Sequence, residues 1–305
     1  MTARSYWHRN VGAVITPDMT ITEQLEAADL NWTVEQSPYC YGEYFQYEDD
    51  RNKIAYRSDN GDVLGYFGPR RNAFQNREIV EAFHEFCASS GDGLQIERLG
   101  SLNGGQSLFA TALLNHQIDV KKVGDVMETR LLLTEHHVSG RALQIRIFFN
   151  RLVCTNGQTR LVKVGGRTLN HMQEFDGSTV REYLEAAYQG VEQYEQTMNR
   201  LAEVTVEDSE ARMHLIRAFG SVDKPWEEQP RPVQTCFKLF SGAGAGSEKM
   251  SAFQTLFGLN EAVKEYQNWH VRGSNSATAF RSVAYGSRGQ KQDAFMRQLV
   301  SVHGL

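Results

Sequence analysis

Between Leu143 and Val153 the chain alternates regularly enough to constrain its backbone strongly. Leu143, Ile145, Ile147, Phe149 and Val153 fall on one side of a pleated strand, and Gln144, Arg146, Phe148 and Asn150 fall on the other. Side chains on a strand repeat every two residues, so this stretch predicts a half-buried β-strand with one dry face. Asn156-Gly157 follows. Both residues tolerate positive φ, and the pair is expected to end the strand in a turn.

The strands before it are expected at Gln95 to Leu102, Ser107 to Leu114 and Asp125 to Thr134. Asn103-Gly104-Gly105 joins the first two as a hairpin signal, and Glu135 to Arg141 joins the third to the strand above. Hairpin connections are too short for parallel crossovers, which predicts an antiparallel sheet of about four strands. Further upstream, aromatic residues from Tyr39 to Tyr47 and the turn chemistry of Asp49-Asp50 and Asp59 to Asp62 predict a small meander over 39 to 67.

Helices are expected from Thr20 to Leu30, and after Asn76 as N-cap with Ile79, Val80, Phe83, Phe86 and Cys87 on one face. Thr179 to Glu182 is a capping box opening the longest helix, whose stripe of Val180, Tyr183, Leu184, Ala187, Val191, Tyr194, Met198 and Leu201 should lie across the sheet. Glu207 to Phe219 is a further helix with Met213, Ile216 and Phe219 inward. Lys224 to Pro232 reads as a linker and Ser241 to Ser247 as a mobile loop. Helices then follow at Ser251 to His270 and Gly289 to Val302. The fold class is therefore α+β: an antiparallel sheet of hairpin-connected strands against a long helix. A core domain over 1–205 is expected, followed by a helical region over 206–305.

Acids outnumber bases in the chain, 37 to 32, for a net charge of −5. Against that background, residues 136–170 carry Arg141, Arg146, Arg151, Arg160, Lys163 and Arg167 and no Asp or Glu. The bases at Arg160, Lys163 and Arg167 recur at the spacing of one helical face. Guanidinium and backbone N–H groups concentrated in this way suit phosphate oxygens. Arg70, Arg71 and Asn76, crowded at a strand-to-helix junction, and Asn156 are the other candidate contacts. Single-stranded nucleic acid, DNA in preference to RNA, is the expected partner.

Two other classes remain open. Cys154, beside Arg151 and Arg160, has the surroundings of an activated thiolate, with His136, His137 or His171 as its base. Alternatively, the aromatic and acidic stretch Tyr39 to Asp50 is a contact face for a host protein. The sequence lacks a Walker loop, HExxH, GxSxG and paired-carboxylate spacing, so no catalytic residue and no cofactor is assigned. No metal site is assigned either. His136 and His137 point to opposite faces of a strand and read as an exposed loop pair; His84 and Cys87 lack further ligands.

Hydrophobic content of 41% and charged content of 23% are those of a globular protein. No apolar run approaches the ~20 residues of a membrane helix. The N-terminal MTARSYWHRN has no apolar core of a secretory signal, and the four cysteines are too scattered for a disulfide framework, so a cytoplasmic location is expected.

Several segments taken together resemble one family. They are DNGDVLGYFGPRRNAFQN at 59–76, RLVCTNG at 151–157, the long helix after it and FGLNEAVKEYQNW at 257–269. They are similar to the phage/plasmid-like proteins, known as domain of unknown function 932, in the family's order from about residue 20 onward. The resemblance implies a bacterial host cytoplasm and a task in mobile-element replication, recombination or host takeover. At the level of fold, a hairpin sheet crossed by a long helix resembles the core of single-strand annealing recombinases. That likeness implies a homo-oligomer, such as a ring, holding single-stranded DNA in a basic groove.

Overall fold

The computed structural model describes residues 11–90, 93–120, 125–138, 143–152, 156–161, 177–271 and 275–305. The fold is α+β. A short strand β1 (Ala13–Val14) precedes helix α1 (Ile21–Ala27), which Thr20 and Glu23 cap reciprocally. Strands β2 (Val34–Tyr41), β3 (Tyr47–Arg57) and β4 (Val63–Phe67) make a small antiparallel meander, and α2 (Asn76–Ser89) follows.

Strands β5 (Ile96–Leu102), β6 (Ser107–Val120), β7 (Asp125–His136), β8 (Gln144–Arg151) and β9 (Asn156–Leu161) then pair in sequence order, each antiparallel to the last. β1 adds to the outer edge of β5, giving six strands. The remaining helices are α3 (Gly177–Glu203), α4 (Asp208–Phe219), α5 (Arg231–Lys238), α6 (Leu256–Glu265), α7 (Ser276–Ala284) and α8 (Ser287–His303). None among the described residues is long and apolar enough to cross a membrane.

The alternation of β8 holds, but both of its faces are covered. Ile145, Ile147 and Phe149 join Leu131 and Leu133 of β7 beneath α2 and α3, where the Phe149 and Tyr194 rings stack with centroids 3.8 Å apart. On the opposite face Phe148 and Leu132 meet Phe280, Val283 and Ala284 of α7. The half-buried strand of the sequence reading is thus sandwiched, because α7, nine residues the sequence reading left without structure, lies over the second face. Each buried Phe or Leu there contributes roughly 1.5–3 kcal/mol relative to exposure. Side chains from both sides of residue 205, such as Tyr194, Leu215, Leu256 and Leu299, share one continuous core.

Several local expectations are corrected. Arg151 pairs with Asn156, so Asn156 and Gly157 lie within β9 instead of forming the turn, and Arg160 lies on the same strand, opposite Ile147. The cap of α2 is Gln75, whose backbone N–H donates to Glu78 while its side chain pairs with the Val34 backbone. Met213 is exposed, while Ala211, His214 and Leu215 carry the buried side of α4.

The proline-rich segment is folded. Trp226–Glu228 forms a 3-10 turn, and Gln229, 4% exposed, donates to the Ser221 and Lys224 carbonyls before Pro230 caps α5. The glycine-rich segment is tied down as well. Ala245 N donates to Glu265, and the Ala245 and Gly246 carbonyls accept from Arg151.

Candidate functional site

The β5–β6 hairpin, the end of β7 and α7 enclose a cleft of about 420 Å³. Its first wall depends on the Asn103-Gly104-Gly105 turn, in which all three residues have positive φ. At Gly105 a Cβ would come within 2.6 Å of the Trp32 ring, so only glycine fits. This turn sets the β5–β6 register, with Leu102 opposite Ser107, and on the other side of β6 the β7 ladder places Ser107 opposite His136. The second wall is α7, capped by Asn275 through Thr278 N and seated on the sheet by Phe280, Val283 and Ala284. Its Thr278, Arg281 and Ser282, with Tyr285 and Gly286 just after it, line the cleft together with Asn103, Gln106, Ser107, His136 and Val138.

The lining is polar and, among the described residues, contains no Asp or Glu. Ser107 Oγ and His136 Nδ1 are hydrogen-bonded at 2.8 Å, both side chains being buried, and the Tyr285 ring stands edge-on to His136. Small-ligand clefts of ~300–1,000 Å³ are usually lined mostly by apolar groups. This one presents a guanidinium, hydroxyls and amides, which are the groups that bind phosphate oxygens.

Behind the cleft wall lies a buried polar network that holds residues 135–138. Arg71 donates to the His136 and Val138 carbonyls at 2.7 and 2.8 Å, packs over the Phe67 ring and stands 3.9 Å from Glu135. Burial pushes the Glu135 carboxyl well above the usual carboxylate range, and Arg71 only partly offsets this. His137 points the opposite way from His136, and its Nε2 is 2.9 Å from Asn76 Oδ1. Asn76 in turn donates to the Leu30 and Trp32 carbonyls. Both histidines are about 1% exposed, so the exposed loop pair of the sequence reading is instead a buried pair.

The residues expected at a phosphate-binding groove therefore separate. Arg71 and Asn76 brace the cleft wall from within, and Arg70 is exposed on the turn before α2. Arg146 is half-buried, hydrogen-bonded to the neutral Gln144 side chain, and lies on the same sheet face as His136, about 13 Å along the ladder at strand rise.

Arg151 is a correction. It is 1% exposed, and its guanidinium is held by both carboxylate oxygens of Asp125 and by the Ala245 and Gly246 carbonyls. Asn156 and Arg160 are placed on β9 by their backbone. Arg141, Lys163 and Arg167 lie outside the described residues, as do Cys154 and His171.

Sequence reasoning missed Ser107, Arg281 and Tyr285 and gave His136 a different role. The Asn-Gly-Gly turn was the available signal for Ser107. Its partner was hidden because the β6–β7 ladder shifts register between Leu113 and Gln117.

Fold and cleft together define an α+β protein built on an antiparallel meander, with an acid-free polar site where that sheet meets a covering helix. The chain belongs to the family described as Domain of unknown function (DUF932), which matches residues 63–297. The matched span runs from β4 into α8 and includes every residue of the cleft. No curated protein and no solved structure matches the chain.

Proposed function

We propose that the protein binds single-stranded DNA through its sugar–phosphate backbone, with the cleft between β6, β7 and α7 seating a phosphate group. The observation that carries this reading is charge segregation. In a chain of net charge −5, an acid-free cleft containing Arg281 opens at His136, the first residue of the acid-free stretch 136–170. Backbone contacts of this kind leave base edges free to pair, as strand annealing requires. The antiparallel meander β5–β9 and the 27-residue helix α3 add a fold-level likeness to annealing recombinases. On this reading the protein acts as a homo-oligomer in a bacterial host cytoplasm, encoded by a phage or other mobile element.

The test is fluorescence anisotropy of a labelled oligothymidine at ~50 to ~200 mM salt. Each phosphate contact on a single strand contributes about 0.7 to the logarithmic salt slope, so Arg281→Ala and Arg146→Ala should each flatten it by about that amount. A wild-type protein that ignores the oligonucleotide at ~50 mM salt overturns the reading.

One observation favours a second reading, a partner-binding protein acting on a host protein. Tyr41, Tyr44, Phe45 and Tyr47 are each at least half exposed at the tip of the β2–β3 hairpin, beside Glu43, Glu48, Asp49 and Asp50. The hairpin precedes the family-matched residues. Carboxylates there repel phosphate, so this face suits a basic protein. If it carries the function, Tyr44→Ser with Phe45→Ser abolishes saturable, stoichiometric partner capture, and Arg281→Ala leaves that capture intact.

A further inference from the structure

Three potential metal ligands converge where α4 meets α8. Glu210 and His214 stand one turn apart on α4 and so share a face, and His303 reaches them from the last position of α8. The two imidazole Nε2 atoms are 3.1 Å apart. A Glu210 carboxylate oxygen lies 3.6 Å from His303 Nε2 and 4.0 Å from His214 Nε2. The rings are inclined at 40° with centroids 5.2 Å apart, so their nitrogen tips approach more closely than their faces.

An ion holding tetrahedral ligands at about 2.0–2.1 Å separates neighbouring donor atoms by about 3.3 Å. The nitrogen–nitrogen edge already has that length to within a few tenths of an ångström. Closing the triangle requires Glu210 to swing inward by less than about 1 Å, and it is the member free to do so, with its side chain 44% exposed. We propose that Glu210, His214 and His303 form a site for a divalent cation of the zinc class, with the fourth position open to water.

The donor set supports that class of ion. Two imidazoles and one carboxylate suit Zn²⁺, Co²⁺ or Ni²⁺, whereas Mg²⁺ and Ca²⁺ take oxygen ligands. Both imidazoles are shielded, the His214 side chain being 3% and that of His303 15% exposed, so an ion between them would lie largely out of solvent. Gln298 of α8 donates to the His214 carbonyl at 3.1 Å, which ties α8 to α4 beside the site. A bound ion would tie α8, which sends Phe295 and Leu299 into the core, to α4. The competing occupant of the same geometry is a proton shared between the two Nε2 atoms.

The experiment uses the full chain, stripped with a chelator and titrated calorimetrically with Zn²⁺ alone, with Co²⁺ in parallel as an absorption probe. Expected are one equivalent per chain, a raised Tm, the visible absorption of four-coordinate Co²⁺, and no comparable response to Mg²⁺. Loss of an outer partner of a metal ligand weakens binding roughly 10–100-fold, so losing a ligand outright in His303→Asn should weaken it by about 100-fold or more. Glu210→Gln should weaken it as well. In chelator, His303→Asn should melt within a degree or two of the wild type, which separates ligand loss from misfolding. Zn²⁺ affinity that is unchanged in His303→Asn, or absent from the wild type, overturns the site and assigns the contact to a shared proton.

Discussion

Replacing Arg151 distinguishes a phosphate contact from a structural ion pair, and the two roles predict opposite results. The side chain bridges Asp125, which is 0% exposed, to the backbone of the 244–247 segment and packs over the Phe257 ring at 5.2 Å. In Arg151→Ala the Asp125 carboxylate keeps its hydrogen bond from Ser251 Oγ but loses its counter-charge, and the Ala245 and Gly246 carbonyls lose a donor. Removing one partner of a buried pair costs about 3–5 kcal/mol. At ~2–4 °C per kcal/mol for chains of this order of size, the Tm should fall by on the order of 10 °C.

Arg151→Lys should recover little of this, because an ammonium lacks the planar fork that engages both carboxylate oxygens. Urea unfolding of Arg151→Ala, Asp125→Asn and the double variant measures the coupling directly. The salt slope for oligonucleotide binding by folded Arg151→Ala should equal that of the wild type. A stability loss under about 1 kcal/mol, together with a slope reduced by about 0.7, would refute the structural assignment and return Arg151 to the binding face.

Glu135 gives a pH signature. Its carboxyl titrates higher in the folded protein than in the unfolded chain, so the folded state binds the extra proton and stability falls as pH rises above the ordinary carboxylate value of about 4.3. Glu135→Gln should flatten that fall and leave the protein at least as stable at pH 7; a Tm–pH profile parallel to the wild type would contradict this. Among the described cysteines, burial pushes the Cys87 thiol up to about 12 and the Cys236 thiol higher still, whereas Cys40 is exposed. A thiol reagent at pH 8 should therefore label Cys40 at once and the other two only in denaturant. Rapid labelling of Cys236 in the native state would show that its helix opens.

Much of the α+β architecture was legible because it is written in neighbouring residues. The period of two in β8, the Asn-Gly-Gly hairpin and the α3 stripe from Val191 to Leu201 each act within a few positions, and the structure reproduces them. The site was less legible. Arg71, Asn76 and Arg151 were marked as ligand-facing by their charge or polarity and their place in the chain, yet each is turned inward by a partner far away in sequence.

The chain by itself thus determined most of the strands and the longest helices, and that positive charge gathers in 136–170, since periodicity, turn chemistry and composition are local properties. Only the tertiary structure decided which of those groups face a ligand. Asp125 lies 26 positions from Arg151, Ser107 lies 29 from His136 and His214 lies 89 from His303. Such pairings depend on ladder register and on which helix covers which sheet face. A single buried counter-charge is enough to turn a candidate phosphate ligand into part of the core.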